Sequence, residues 1–232
     1  MRTNRIEFIS EYCDRWCERC AFTSRCSSDA VQAALGMCGD IGEAIELAVG
    51  APMVVGATHS KRPRTFEIDE PTPEELRKIG ADEDARDKLI EEASMSKNAM
   101  SIMLKAHEWF RAHEATVRNG ADAVLLETIA IAHWDSGFIG AKLHRALHGR
   151  DRHESGDDWD DDPIQNDWNG SAKIALISIE RSESAWQTIA QATSDVVAAE
   201  LAAAVSALRR EVEEAFPFAR LFIRPGFDAP HC

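Results

Sequence analysis

Apolar positions recur at steps of three and four residues along four long stretches, 82–119, 121–148, 169–193 and 195–216. That is the period of an amphipathic helix with one buried face. Gly120 and the region of Ser194 offer tight reversals, while 149–168 is a longer, acidic crossover. Short links make antiparallel neighbours, so the pattern predicts an all-α protein built on an antiparallel four-helix bundle, most simply up-down-up-down. Upstream, a cysteine-bearing helix is expected over 4–22. Ser27, Ser28 or Asp29 would cap a second helix running to Val49, ended by Gly50 and Pro52. The stretch 51–71 carries Pro52, Gly56, Pro63 and Pro71 without helical period, a connection with a short strand expected at 53–55. Thr72, Pro73 and Glu75 form a capping box for a short helix ending at Gly80. The expected organisation is a helical segment over 1–50, a connection with a short helix over 51–81, and the bundle with a C-terminal extension over 82–232.

Each long stripe is interrupted by something polar. In the first it reads Leu89, Ala93, Ser96, Met100, Met103, His107, Phe110, Glu114 and Val117, with His107 and Glu114 as intruders. In the second it reads Leu125, Thr128, Ala132, Asp135, Ile139, Lys142 and Ala146, and in the third Ala172, Leu176, Ile179, Glu183, Trp186, Ala190 and Thr193. Residues symmetric about a tight reversal lie level in antiparallel helices. His107, Asp135 and Glu183 are therefore expected at one height inside the bundle, with Glu114 and Glu127 a layer or two away. Buried carboxylates need a metal, a cation or a shared proton. The three are candidate catalytic or ligand residues, with Trp134, Trp186, Met100 and Met103 shaping a cofactor or substrate pocket. The alternative is a structural network in which Lys142, Arg181 or His107 neutralises the acids. The Glu-x-x-His pairs of di-metal carboxylate bundles are missing, which argues against a di-iron centre.

The cysteines change the picture more. Four of six, Cys13, Cys17, Cys20 and Cys26, fall as C-x3-C-x2-C-x5-C. On a helix, steps of four and three put Cys17 and Cys20 within about 40° of Cys13, so three thiolates converge. A metal centre is expected. Structural zinc usually draws its cysteines from tight C-x2-C knuckles, and the gap to Cys13 is wider than that. An iron–sulfur cluster of the [4Fe–4S] type accepts wider spacing and is favoured here over zinc. Arg15, Arg19 and Arg25 are interleaved where charge compensation would help. Cys38 is an alternative fourth ligand, and an apolar cysteine seam with Trp16 and Phe22 is the bland reading. The polar, charged start over 1–10 has no apolar core of a secretory signal, so a reducing, cytoplasmic setting is expected and disulfides are the weakest reading.

Charge and length then exclude classes. With 40 acidic against 26 basic residues the formal net charge is −14, and the only basic runs are 59–64 and 143–152, so no nucleic-acid footprint is expected. No apolar run approaches the roughly 20 residues that span a bilayer. His144 and His148 have the i, i+4 spacing of a two-histidine metal pair. They sit at a basic helix end, where such residues complement the macrodipole, and that plainer role is the one expected. Gly137, Gly140 and Ala141 on the same helix would let a helix or ligand approach closely. The acidic run 157–162 lacks the pattern of a calcium loop and is expected to be a solvated connection.

One motif resembles a known family. Gly39-Asp40-Ile41-Gly42-Glu43-Ala44-Ile45-Glu46 looks like the first acidic element of the all-α nucleotide pyrophosphohydrolases of the MazG and dimeric dUTPase type. The resemblance covers about ten residues and implies magnesium held at Glu43 and Glu46 against a substrate's phosphates. The second element that family carries, Glu-x-x-Asp, is missing where Glu91 and Glu92 lead into Ser94 and Met95.

The function expected is that of a metal-binding helical protein whose N-terminal four-cysteine cluster passes electrons between a redox partner protein and a polar or second metal site in the bundle. Its enzyme class, if any, would be oxidoreductase. The alternative is a zinc-stapled binding or scaffold module without catalysis. A small-molecule ligand is compatible with the bundle, and the alanine-rich stretch 198–207 with a homo-oligomer.

Overall fold

The computed structural model describes residues 5, 6, 8–49, 71–156 and 162–228, apart from the side chains at 49, 114, 116 and 118. The expected strand at 53–55, the basic run 59–64, most of the acidic run, Cys232 and the Glu114 side chain lie outside the described residues. Those described are helical, with no strand among them. The helices are α1 (Ser27–Cys38), α2 (Ile41–Val49), α3 (Pro73–Glu92), α4 (Ser94–Gly120), α5 (Ala123–Glu154), α6 (Asp167–Thr193) and α7 (Val196–Ala215). No helix among them is long and apolar enough to cross a membrane. The chain divides into two compact units, Met1–Asp82 with Arg224–Cys232, and Glu83–Ile223.

Local chemistry sets the helix ends. Asp122, Asn166 and Asp195 each accept a backbone N–H three residues on, from Leu125, Asn169 and Ala198 at 2.8–2.9 Å, and so start α5, α6 and α7. The capping box at α3 is formed as expected: Thr72 N–H donates to the Glu75 carboxylate at 2.7 Å, and Glu75 N–H to the Thr72 hydroxyl at 3.2 Å. The helix it opens does not stop at Gly80 but continues to Glu92, and it is Ala93, extended at ψ 143°, that parts it from α4. The helix expected over 82–119 is therefore two. The helix expected from Ser27 to Val49 is also two, broken where Gly39 takes φ +74° and Asp40 accepts the Glu43 N–H at 2.9 Å.

In the second unit α4 packs on α5, α5 on α6, α6 on α7, and α7 back on α4. The core between them holds an aromatic centre. Trp186 meets Trp109 edge-on with centroids 5.3 Å apart, and Phe110 meets both. The stripe expected on α5 is buried from Thr128 to Ala146, including Asp135 and Lys142. On α6 the stripe from Ala172 to Trp186 is buried except Glu183, which is partly covered. On α4 the buried positions are Met95, Ala99, Ile102, Ala106 and Trp109 with Phe110, one residue ahead of the expected stripe, and Leu89, Met100 and His107 are exposed. The break at Ala93 contributes to the slip. Phase carried across it from Leu89 has no meaning downstream, and the bulky Ile102 and Trp109 set the face instead.

The first unit is different in kind. Among its described residues the buried apolar side chains are Ile9, Trp16, Ala34 and Ala44 alone. Its chain ends are tied together: Ile6 N–H donates to Arg25 O at 3.1 Å, and Phe227 of the tail meets Phe22 edge-on at 5.0 Å. Gly226 takes φ +77°, with Ile6 packed against the space a side chain would need.

Candidate metal centre

The segment bearing the cysteines is not the helix expected over 4–22. Phe8 and Arg15 take left-handed φ of 59° and 58°, and the segment folds as turns joined by two single-turn 3-10 helices, Cys17–Arg19 and Thr23–Arg25. The Asp14 carboxylate accepts the Trp16 N–H at 3.2 Å, a local bond that competes with helix formation. Cys20 N–H closes back on Cys17 O at 3.1 Å, and the Phe22 N–H points at the Cys20 sulfur at 3.4 Å. Cys26 is the N-cap residue of α1. Irregular backbone thus does what the helix was expected to do: Cys13, Cys17, Cys20 and Cys26 line one cavity of about 20 Å³, with Trp16 and Ile9 among its walls.

Burial first, then negative charge at Asp29, Cys13, Cys26 and Cys20, push the Cys17 thiol above its ordinary value. Cys13, Cys17, Cys20, Cys26 and Cys38 stand in no disulfide. Cys38 is the last residue of α1 while Cys26 precedes its first, about 18 Å apart along the axis. Its thiol donates to Ala34 O at 3.1 Å, and it takes no part in the cavity. Among the described residues no three His, Cys, Asp or Glu side chains already stand in position to hold an ion, so binding here would draw the sulfurs inwards.

The residues expected to work together in the bundle find separate partners. Asp135, with no exposed surface, accepts two bonds from the Arg181 guanidinium, one of them Nε to Oδ2 at 2.8 Å. Glu183 pairs with Arg209 at 3.3 Å. His107 lies on the exposed side of α4. The neutralising network, with Arg181 in the part, is what Asp135 belongs to. Arg209 lies on α7, so the α6 stripe alone does not show this partner. Trp186 is enclosed in the aromatic core, Trp134 is half-buried, and Met103 lines a groove of about 970 Å³ with Met100, Leu104, Gly137 and Gly140. They do not form one pocket. Glu43 and Glu46 are both exposed on α2.

Comparison of the chain with protein-family models, with curated proteins and with solved structures gave no match.

Proposed function

We propose that the chain is a metal-stapled helical protein in which Cys13, Cys17, Cys20 and Cys26 hold a single ion, zinc by preference, that fastens the N-terminal unit. The observation that carries this reading is the shared cavity. About 20 Å³ is room for one atom, a little more than the roughly 10–15 Å³ a water needs. The described core supports the same reading: the unit's described residues bury only Ile9, Trp16, Ala34 and Ala44, and a metal staple adds stability where a small core supplies little. Four-coordinate thiolate zinc supplies folding energy, on the order of 10–16 kcal/mol in small zinc domains. The Phe22 N–H aimed at the Cys20 sulfur is the kind of bond that steadies a thiolate ligand.

The iron–sulfur reading, with electron transfer to a partner, keeps the wide C-x3-C-x2-C-x5-C spacing in its favour and ranks second. The pyrophosphohydrolase reading rests on α2 alone. We read α4 to α7 as an antiparallel four-helix bundle acting as a binding or scaffold module. The cyclic order of their contacts and the short links at Ala121-Asp122 and Ser194-Asp195 support this.

Chelation tests the staple. Treating the purified protein with a strong chelator should speed amide exchange across 8–49 while leaving 94–215 protected. Unchanged exchange in both regions after complete metal removal would overturn it.

A further inference from the structure

We propose that Glu83 and Asp87 of α3, with His144 and His148 of α5, form a second site that binds a first-row divalent cation of the zinc type. Each pair is spaced i, i+4, so each presents two ligand groups from one face of its helix. His148 Nε2 lies 3.1 Å from Glu83 Oε2 and 3.9 Å from Asp87 Oδ1, and His144 Nε2 lies 3.7 Å from the same Asp87 oxygen. The imidazoles lie face to face, centroids 6.2 Å apart and planes 27° apart, so both Nε2 edges turn to one pair of carboxylates.

The spacing is what marks the cluster. A tetrahedral shell with bonds of about 2.0–2.1 Å sets its ligand atoms about 3.3 Å from one another. Distances of 3.1, 3.7 and 3.9 Å straddle that value. Among the described residues no three such side chains already stand around a common point, so binding here would require these four to move together. Charge balances as well: two neutral imidazoles and two carboxylates carry −2, the complement of a divalent ion. The other Glu83 oxygen is engaged by Arg86 at 3.3 Å, and Arg86 is anchored on Asp151 at 2.7 Å, a supporting shell that fixes the direction of the carboxylate. The four side chains are 22–50% exposed, so an ion can reach them from solvent. An ion here would clamp α3 to α5.

Cobalt(II) titration of the full-length protein, previously stripped of metal, tests this. Cobalt on thiolates gives a near-ultraviolet charge-transfer band, and cobalt on nitrogen and oxygen does not, so the cysteine centre reports separately. The expected result is a bound cobalt without that band. H144A/H148A should weaken it by more than the about 10–100-fold that losing an outer-shell partner costs. E83Q/D87N, which keeps the side-chain shapes, should do the same, with helical circular dichroism unchanged in both and the thiolate band untouched. No cobalt beyond the thiolate-bound ion, or the same affinity in wild type and both variants, would overturn the proposal.

Discussion

Arg181→Met should be among the most damaging single changes available in the second unit. Asp135 has no exposed surface, and Arg181, 28% exposed, bonds both of its oxygens. Removing the arginine leaves an enclosed carboxylate without its bidentate partner, and breaking a buried pair from one side costs about 3–5 kcal/mol. That is a large share of the roughly 5–15 kcal/mol holding a typical domain. Asp135→Asn should be milder, about 1–2 kcal/mol, because the arginine can still turn to water. Asp135→Leu with Arg181→Met removes both charges of the pair and should be less damaging than Arg181→Met alone. Urea denaturation followed by far-ultraviolet circular dichroism at neutral pH measures all three, with the midpoint shifting and the slope preserved. A single Arg181→Met variant within about 1 kcal/mol of wild type, or a double variant worse than that single one, would refute the reasoning.

Other consequences follow from particular residues. The Ser178 hydroxyl is fully buried with no hydrogen-bond partner among the described residues, so Ser178→Ala should leave stability unchanged or raise it by up to about 1 kcal/mol, and a loss larger than that in urea denaturation would show a hidden partner. The Thr72 N–H, and then its hydroxyl, hold the Glu75 carboxyl below the usual range, so the capping box contributes at neutral pH and fades as pH falls through that depressed value. Carboxyl NMR titration should show Thr72→Ala moving Glu75 part of the way up, since the larger backbone contribution remains. At Gly226, φ +77° costs an L-residue about 1–2 kcal/mol, and an alanine Cβ would stand 2.8 Å from Ile6 Cδ1. Gly226→Ala should therefore speed amide exchange at Phe227 and Ile6 by about tenfold, and unchanged exchange would count against the tail holding the N-terminal strip.

The parts of the fold that were legible in sequence are those where one stripe dominates a helix. On α5 the Thr128–Asp135–Lys142 series lies inside a wide buried face that also takes in Ile129, Ser136, Leu143 and Leu147, so the helix and its buried Asp135 and Lys142 follow from the stripe. On α4 two adjacent stripes are apolar, Met100 with Leu104 on one and Ile102 with Trp109 on the other, and only packing chooses between them. That single step removed His107 from the expected site. At the cysteines the conformation differs from the helix that the spacing predicts. A 4,3 spacing suits a helix face, yet the left-handed Arg15 and the Asp14 turn gather the same sulfurs through loops. The facing of Glu83 and Asp87 on His144 and His148 could not be read from either helix alone. Each pair is an ordinary i, i+4 surface pair until tertiary structure sets them together.

Metal content of the full-length protein, by elemental analysis and native mass spectrometry in parallel with a Cys17→Ser/Cys20→Ser variant, bears most directly on the cysteine centre. Zinc bound at the thiolates in wild type and lost from that variant is the expected result. A wild-type protein that folds fully with no metal on its cysteines, or one that carries iron with sulfide there, would contradict it.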